Sequence, residues 1–203
     1  ELILAHVLQE NRSKTIIDDE RQIESKKMKI FFNLINQRFK KKPISYITNS
    51  KEFWKSKFYV DKNTLIPRPE TEHLIEISLK LISKEKNIKI LDVGTGSGCI
   101  LISILKEFKN SSGIGIDISQ KALQIARYNA KIHHITNRLS FYHSDIDKFS
   151  FGTYDLIVSN PPYITSSMIK NLKDDVKLYE PNIALNGGKM GLDTIIKLNI
   201  PLC

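Results

Sequence analysis

Residues 89–98 read KILDVGTGSG, and this stretch decides the fold of the chain. Its first five residues are mostly apolar, which is the pattern of a short buried strand. Glycines follow at three alternate positions, Gly94, Gly96 and Gly98, and residues 99–108 then show the apolar spacing of a helix. Because glycine adopts left-handed backbone conformations at little steric cost, it suits a tight turn between a strand and a helix. The stretch therefore predicts a strand, a glycine turn and a helix in direct succession.

The same alternation continues towards the carboxyl end of the chain. Residues 114–117, 139–143 and 155–159 also have the pattern of strands, and Ser119 can cap a helix that begins at Gln120. Strands that alternate with helices in this way form a parallel sheet with helices on both faces. We therefore predict an α/β, Rossmann-like fold with four strands in this chain.

Two segments of different character precede this domain. Residues 1–43 carry apolar side chains at helical spacing and predict a small N-terminal helical domain. Residues 44–64 predict a hairpin linker, because they contain three short strand-like pieces. Those pieces are residues 46–47, 52–54 and 58–60. The Rossmann-like domain then takes residues 65–203.

Composition excludes several classes of protein. Of the 203 residues, 41% are hydrophobic, yet no apolar run is long enough to cross a membrane. The two cysteines, Cys99 and Cys203, lack the spacing of a metal site, and so low a cysteine content suits a reducing, cytoplasmic location. The net charge of +9 could attract nucleic acid, but no aromatic residues alternate with the lysines. We interpret the charge as a lysine-rich, solvated surface.

The glycine turn does not fit the common nucleotide-binding motifs. Cys99 or Leu101 stands where a dinucleotide fingerprint needs its last glycine, and no Gly-Lys-Ser/Thr follows as in a Walker loop. The turn and Asp117, which ends the second strand of the domain, instead match the pattern of S-adenosylmethionine binding. Glycines let the backbone approach the cofactor closely, and Asp117 can accept from both ribose hydroxyls.

Other acidic and apolar residues complete the predicted cofactor site. We expect Asp92 to hold the amino group of the cofactor, directly or through a water molecule. Asp145 is expected to accept from the adenine amino group, and Ile146 to cover the adenine face. The predicted cofactor-binding residues are Gly94, Thr95, Gly96, Ser97, Gly98, Asp117, Asp145, Ile146 and Asn160.

Residues 160–163 read NPPY and follow the fourth predicted strand of the domain. The side-chain carbonyl of Asn160 can accept one N–H of a planar amino group, and the carbonyl of Pro161 can accept the other. Proline restricts the residue before it, so Asn160 is expected to have an extended backbone. Tyr163 offers a flat face to an amide or a base. These residues predict a site that orients an amino nitrogen towards an electrophile.

Three motifs together resemble a known family. The NPPY motif alone occurs in several methyltransferases that act on amino nitrogens, whereas residues 65–72, LIPRPETE, are more selective. With the glycine turn and NPPY, this segment is similar to the peptide chain release factor glutamine methyltransferases of the HemK/PrmC type. Residues 43–47, 52–53 and 179–181 match the flanking segments of that family, although Asn49 stands where the family usually has glycine.

The resemblance implies a reaction and a partner. The reaction is transfer of a methyl group from S-adenosylmethionine to the side-chain amide nitrogen of the glutamine in the Gly-Gly-Gln motif of class 1 peptide chain release factors. Asn160, Pro161 and Tyr163 would be catalytic, and Pro162 would join them in binding the substrate. The N-terminal helices and the hairpin would help to seat the protein substrate, so we expect no direct contact with nucleic acid.

Two alternatives stay open from the sequence. One is an amino-methyltransferase that acts on adenine or guanine in nucleic acid. The other is a partner-binding remnant that keeps the cofactor pocket without catalysing transfer. This second alternative arises because methyltransferases of this fold have seven strands, whereas four are predicted in this chain. We therefore expect the C-terminal strands to be missing from this chain, and the isolated chain to be poorly soluble or inactive.

Overall fold

The N-terminal part of the chain is helical, as predicted. A computed structural model describes residues 1–17 and 21–198. The last residues of the predicted Rossmann-like domain, including Cys203, lie outside the described residues. The first three helices are α1 (Leu2–Leu8), α2 (Arg12–Ile17) and α3 (Ser25–Phe39). Ile3 and Ala5 of α1 are buried, and α1 packs against α3. That residues 1–43 form a separate substrate-docking domain stays a prediction.

The prediction of a strand at residues 46–47 is wrong, because these residues belong to a short helix, α4 (Ile44–Ile47). The carbonyl of Pro43 accepts hydrogen bonds from the backbone N–H groups of Tyr46 and Ile47, at 3.0 Å each, and so closes a helical turn. The Tyr46 hydroxyl then donates to the carbonyl of Thr64 at 2.5 Å. The apolar character of the segment therefore reflects burial against residues far along the chain rather than a strand.

The predicted hairpin is present and is anchored on the large domain. It consists of β1 (Lys51–Phe53) and β2 (Ser56–Phe58), which pair antiparallel. Phe53 and Phe58 are each 1% exposed and belong to the main hydrophobic core. Just before β1, Asn49 has a φ of 51°, a left-handed conformation that asparagine tolerates and glycine adopts freely. The hairpin thus packs as part of the core, and its role as a linker stays a prediction.

The large domain has the predicted α/β architecture. Its elements are α5 (Glu72–Leu81), β3 (Lys89–Val93), α6 (Cys99–Glu107), β4 (Ser112–Asp117), α7 (Gln120–Ile132), β5 (Leu139–His143), β6 (Leu156–Ser159), α8 (Asp174–Lys177) and α9 (Asp193–Lys197). Over the described residues, β3 to β6 form one parallel sheet in the order β5-β4-β3-β6. The predicted fold class and its four strands are confirmed.

The sheet order fixes where a ligand can bind. The chain runs outward from β3 through β4 to β5 and then returns to β6 on the other side of β3. Such a reversal opens a crevice at the carboxyl ends of the central strands. In the part of the chain that the structure describes, no helix has the length and apolar character of a membrane span. That further strands lie outside this chain stays a prediction.

Candidate active site

A cavity of about 590 Å³ lies at the carboxyl ends of β3, β4 and β6. This volume is in the range of small-molecule sites. Most of the predicted site residues line it: Gly94, Thr95, Gly96, Ser97, Asp117, Asp145, Ile146, Asn160, Pro161 and Pro162. The structure therefore brings the glycine turn and the NPPY motif to one site, although they are far apart in the sequence.

The glycine turn presents its backbone to the cavity. Gly94, Gly96 and Gly98 have φ values of 72°, 56° and 78°, all in the left-handed region that favours glycine. A methyl group built on Gly94 would meet no atom within 4 Å, so conformation rather than crowding requires glycine there. Gly98 is the N-cap residue of α6 and does not line the cavity. A methyl group on Gly98 would lie 3.3 Å from the Cβ of Ala126, which assigns this glycine to packing.

Asp117 is a partly buried acid that lines the cavity. Its Oδ2 accepts from the N–H of Gly96 at 2.9 Å, and its Oδ1 accepts from the N–H of Ser119 at 2.8 Å. Burial raises its pKa from the ordinary value, while these two N–H groups oppose the rise. Because each carboxylate oxygen can accept more than one hydrogen bond, both can also accept from a ligand. The arrangement fits two adjacent hydroxyl groups, such as those of a ribose.

The predicted contact of Asp92 with a cofactor amino group is not supported. Asp92 is fully buried and does not line the cavity. Its Oδ2 accepts from the Thr95 hydroxyl at 2.7 Å, whereas its Oδ1 has no hydrogen-bond partner among the described residues. Burial raises its pKa to about 7, opposed by the Thr95 hydrogen bond. Asp92 therefore supports the glycine turn through Thr95, and a hold on the cofactor amino group through a water molecule stays a prediction.

The predicted adenine contact, Asp145, has a partner that the sequence did not indicate. Lys197 of α9 donates to Oδ2 of Asp145 at 3.1 Å and also pairs with Asp147 at 2.8 Å. The hydrogen bond from Lys197 lowers the pKa of Asp145. Lys197 itself lines the cavity, as does the half-exposed Ile118, while Ile146 is buried. This end of the cavity thus combines apolar side chains with a paired carboxylate.

The side chain of Asn160 has a defined orientation. Its Nδ2 donates to the hydroxyl oxygen of Thr71 at 3.2 Å, and Oδ1 has no partner among the described residues. The orientation of the amide is assigned from this hydrogen bond. Ser159, directly before it, donates from its hydroxyl to the carbonyl of Val93 at 2.8 Å and so ties the end of β6 to β3. Asn160 is therefore held by its backbone and by one end of its amide, while the carbonyl end stays available.

The side chain of Tyr163 is 65% exposed, and the cavity is lined by Pro161 and Pro162 but not by Tyr163. That the Tyr163 ring packs on the substrate amide stays a prediction. The N–H of Ile164 donates to the carbonyl of Leu185 at 3.1 Å, which draws this segment towards a later loop. The Tyr163 ring lies on the outer surface beside the site.

A glycine loop packs against the backbone of the NPPY motif. The N–H of Gly187 donates to the carbonyl of Ile164 at 2.8 Å. A methyl group built on Gly187 would lie 2.6 Å from the carbonyl oxygen of Pro162, and one on Gly191 would collide with the carbonyl of Tyr163. The close approach of the two backbones leaves no room for a side chain. The loop therefore fixes the position of the peptide groups that follow Asn160.

An ion pair between a partly exposed arginine and a buried glutamate joins the LIPRPETE segment to residues 179–181, YEP. A guanidinium nitrogen of Arg68 donates to Oε1 of Glu180 at 2.5 Å, and the N–H of Ile66 donates to its Oε2 at 3.2 Å. The Glu180 side chain is only 1% exposed. Burial raises the pKa of Glu180, while Arg68 opposes the rise. In the sequence, the resemblance of both segments to one family was the only sign that they belong together.

Comparison with known proteins agrees with this site. A family model described as a methyltransferase domain matches residues 84–191, and one described as the PrmC N-terminal domain matches residues 1–48. A release factor glutamine methyltransferase of Clostridium acetobutylicum is 41% identical over 95% of this chain and 69% of its own length. One of Caulobacter vibrioides is 37% identical over 89% of this chain and 63% of its own length.

A bifunctional methyltransferase of Rickettsia typhi is also similar, with 37% identity over 95% of this chain and 41% of its own length. The chain thus spans about two thirds of the length of the two release factor relatives. The identities and the methyltransferase domain confirm the family and the enzyme class that were predicted. The chain belongs to the release factor glutamine methyltransferases, a family of S-adenosylmethionine-dependent methyltransferases.

Proposed function

We propose that this protein transfers a methyl group from S-adenosylmethionine to the side-chain amide nitrogen of the glutamine in the Gly-Gly-Gln motif of class 1 release factors. One observation carries the proposal. Asn160, with a free amide oxygen, lines the same cavity as Asp117 and the glycine turn. Such a transfer requires a group that binds an amide and a group that binds a ribose in the same cavity.

The residues at the glycine turn suit the cofactor. When bound, S-adenosylmethionine would supply a methyl group on a sulfonium sulfur, which leaves as a neutral thioether. Asp117 would accept from the two ribose hydroxyls, because both of its oxygens keep a free acceptor position. The backbones of Gly94 and Gly96 would lie against the cofactor, and the apolar side chains of Ile118 and Ile146 would cover the adenine.

The NPPY residues would prepare the amide nitrogen for reaction. An amide nitrogen is a poor nucleophile, because its lone pair is delocalised into the carbonyl group. The Oδ1 atom of Asn160 and the carbonyl of Pro161 would each accept one of its hydrogens, which directs the lone pair at the methyl group. As the new bond to carbon forms, positive charge develops on the nitrogen, and these two acceptors would stabilise it. The cationic nitrogen then loses one proton to water, so no strong general base is needed.

The protein substrate would approach from the side of Tyr163. The exposed side chains of Tyr163, Ile183 and Met190 belong to segments that pack around the cavity. We propose that they contact the substrate, that residues 1–43 help to dock it, and that the reaction takes place in the cytoplasm without direct contact with nucleic acid. Tyr163 would pack on the glutamine amide only when the substrate is bound.

In the experiment, the intact protein is incubated with labelled S-adenosylmethionine and either a class 1 release factor or RNA or DNA. We expect label on the release factor alone. The Asn160→Ala variant should bind the cofactor nearly normally and lose transfer, whereas Asn137→Ala, an exposed asparagine, should behave like the wild type. Label on nucleic acid alone would reject the proposed substrate, and full transfer by Asn160→Ala would reject the proposed chemistry.

A further inference from the structure

The hydroxyl of Thr71 does not have the role that its position suggests. Thr71 directly precedes α5, but its backbone angles are already helical, with φ of −69° and ψ of −18°, because a 3₁₀ turn runs straight into this helix. Its side chain therefore makes no capping hydrogen bond to the first turn of α5. Its oxygen instead accepts from Nδ2 of Asn160, 89 residues further along the chain. This hydrogen bond joins the LIPRPETE segment to the NPPY motif.

The position of this hydroxyl is fixed by its surroundings. Thr71 is only 9% exposed and ends a 3₁₀ turn (Pro69–Thr71), in which its N–H donates to the carbonyl of Arg68 at 3.0 Å. Arg68 is itself held by the ion pair with the buried Glu180. The hydroxyl therefore does not depend on a mobile loop for its placement. It can hold a partner in one orientation without large loss of side-chain freedom.

The orientation of the Asn160 amide matters because its two ends have opposite hydrogen-bonding properties. The oxygen accepts and the nitrogen donates, yet both orientations have nearly the same shape. With the nitrogen towards the cavity, Asn160 would present a donor to the amino group of a substrate and could not hold it. Thr71 lies on the same cavity wall as Asn160 and engages the nitrogen end.

We propose that Thr71 is a positioning residue, whose hydrogen bond holds the side chain of Asn160 at the cavity wall, where it can meet the methyl acceptor. This inference rests on the proposed function, since it assumes that Asn160 holds the substrate amide. Thr71 would act only through Asn160 and would not touch the reacting atoms. It extends the role of the LIPRPETE segment from supporting the fold to positioning a side chain that binds the substrate.

The test compares Thr71→Val and Thr71→Ala, which lose the hydroxyl, with Thr71→Ser, which keeps it. Methyl transfer to the release factor, cofactor affinity and thermal stability are measured for each intact variant. We expect the first two variants to lose roughly tenfold to a hundredfold in kcat, because a misplaced catalytic group costs up to about that much. Cofactor affinity should stay within about twofold, and Thr71→Ser should recover most of kcat. Thr136→Val, which removes an exposed hydroxyl from the 3₁₀ turn before β5, is the control and should leave kcat unchanged.

The outcomes separate this inference from the proposed function. A wild-type protein that methylates no release factor would reject the proposed function itself. With an active wild type, a kcat of Thr71→Ala within about twofold of the wild-type value would overturn the role of Thr71 alone. Loss of kcat in Thr71→Ser as severe as in Thr71→Ala would also overturn it, because the methyl group and its packing would then be responsible. Including Thr71→Ala guards against poor packing of the valine.

Discussion

Substituting Gly187 by alanine is expected to impair catalysis without touching the cofactor site. The added methyl group would lie 2.6 Å from the carbonyl oxygen of Pro162 and 2.7 Å from that of Gly191. Ordinary contacts of a Cβ atom begin at 3.4 Å, so one backbone must move by about 0.8 Å. The moving group adjoins the carbonyl of Pro161, which we propose to hold the substrate. A displacement near 1 Å costs roughly a hundredfold in rate, so we expect kcat to fall about tenfold to a hundredfold.

A matched control separates this effect from general strain. Gly152 has a φ of 87°, and a methyl group on it would meet nothing closer than 3.4 Å, at the Tyr154 hydroxyl. Gly152→Ala should therefore lose about 1–2 kcal/mol of unfolding free energy from its left-handed conformation and keep its kcat. Gly187→Ala should lose a similar amount of unfolding free energy, about 1–3 kcal/mol, because the added methyl group overpacks the loop.

The assay measures initial rates of methyl transfer to a release factor, with cofactor affinity and thermal unfolding in parallel. Gly187→Ala is expected to keep its affinity for S-adenosylmethionine, since the glycine turn that would hold the cofactor lies between β3 and α6. An unchanged kcat in a folded Gly187→Ala protein would refute the view that the glycine loop fixes the NPPY backbone. An equal fall in Gly152→Ala would attribute the effect to global strain.

Three further substitutions test other parts of the site. Asp117→Asn replaces one acceptor by an amide nitrogen that faces an N–H, so cofactor affinity should fall about tenfold to a hundredfold by calorimetry; an unchanged affinity would contradict the ribose contact. Glu180→Ala leaves the N–H of Ile66 without its acceptor and should cost about 2–4 kcal/mol in urea unfolding, whereas a change near zero would contradict a structural role for this ion pair. Asp92 keeps its proton in the folded state up to about pH 7, but the unfolded chain ionises near the ordinary value of 3.8. The free energy of unfolding should therefore fall by about 3 kcal/mol from about pH 5 to about pH 8, and Asp92→Asn should abolish much of this fall; an identical pH profile in the variant would contradict it.

Local patterns account for the parts of the fold that the sequence predicted. The strand, glycine turn and helix at residues 89–107 follow from short-range spacing and from the conformational freedom of glycine, so they could be recognised without tertiary information. The NPPY motif was likewise placed correctly at the end of β6. Residues 46–47 were misassigned because a short apolar run fits a strand and a buried helical turn equally well.

The interactions that complete the site could not be predicted, because they join distant segments. Thr71 contacts Asn160 across 89 positions, and Arg68 contacts Glu180 across 112. The spacing of residues in the sequence does not show which distant residue Thr71 or Arg68 contacts. Asp92 was expected to face a ligand because it lies near the end of a strand, yet whether such a carboxylate points into a cavity or beneath a turn depends on the neighbouring strands and helices.

Identifying the atom that receives the methyl group tests the proposed function most directly. The intact protein is incubated with labelled S-adenosylmethionine and a class 1 release factor, and the labelled peptide is then fragmented in a mass spectrometer. We predict the label on the side-chain amide nitrogen of the glutamine in the Gly-Gly-Gln motif, and its loss with the Asn160→Ala variant. Label on another residue of the release factor, or on a nucleobase when nucleic acid is offered, would contradict the central claim.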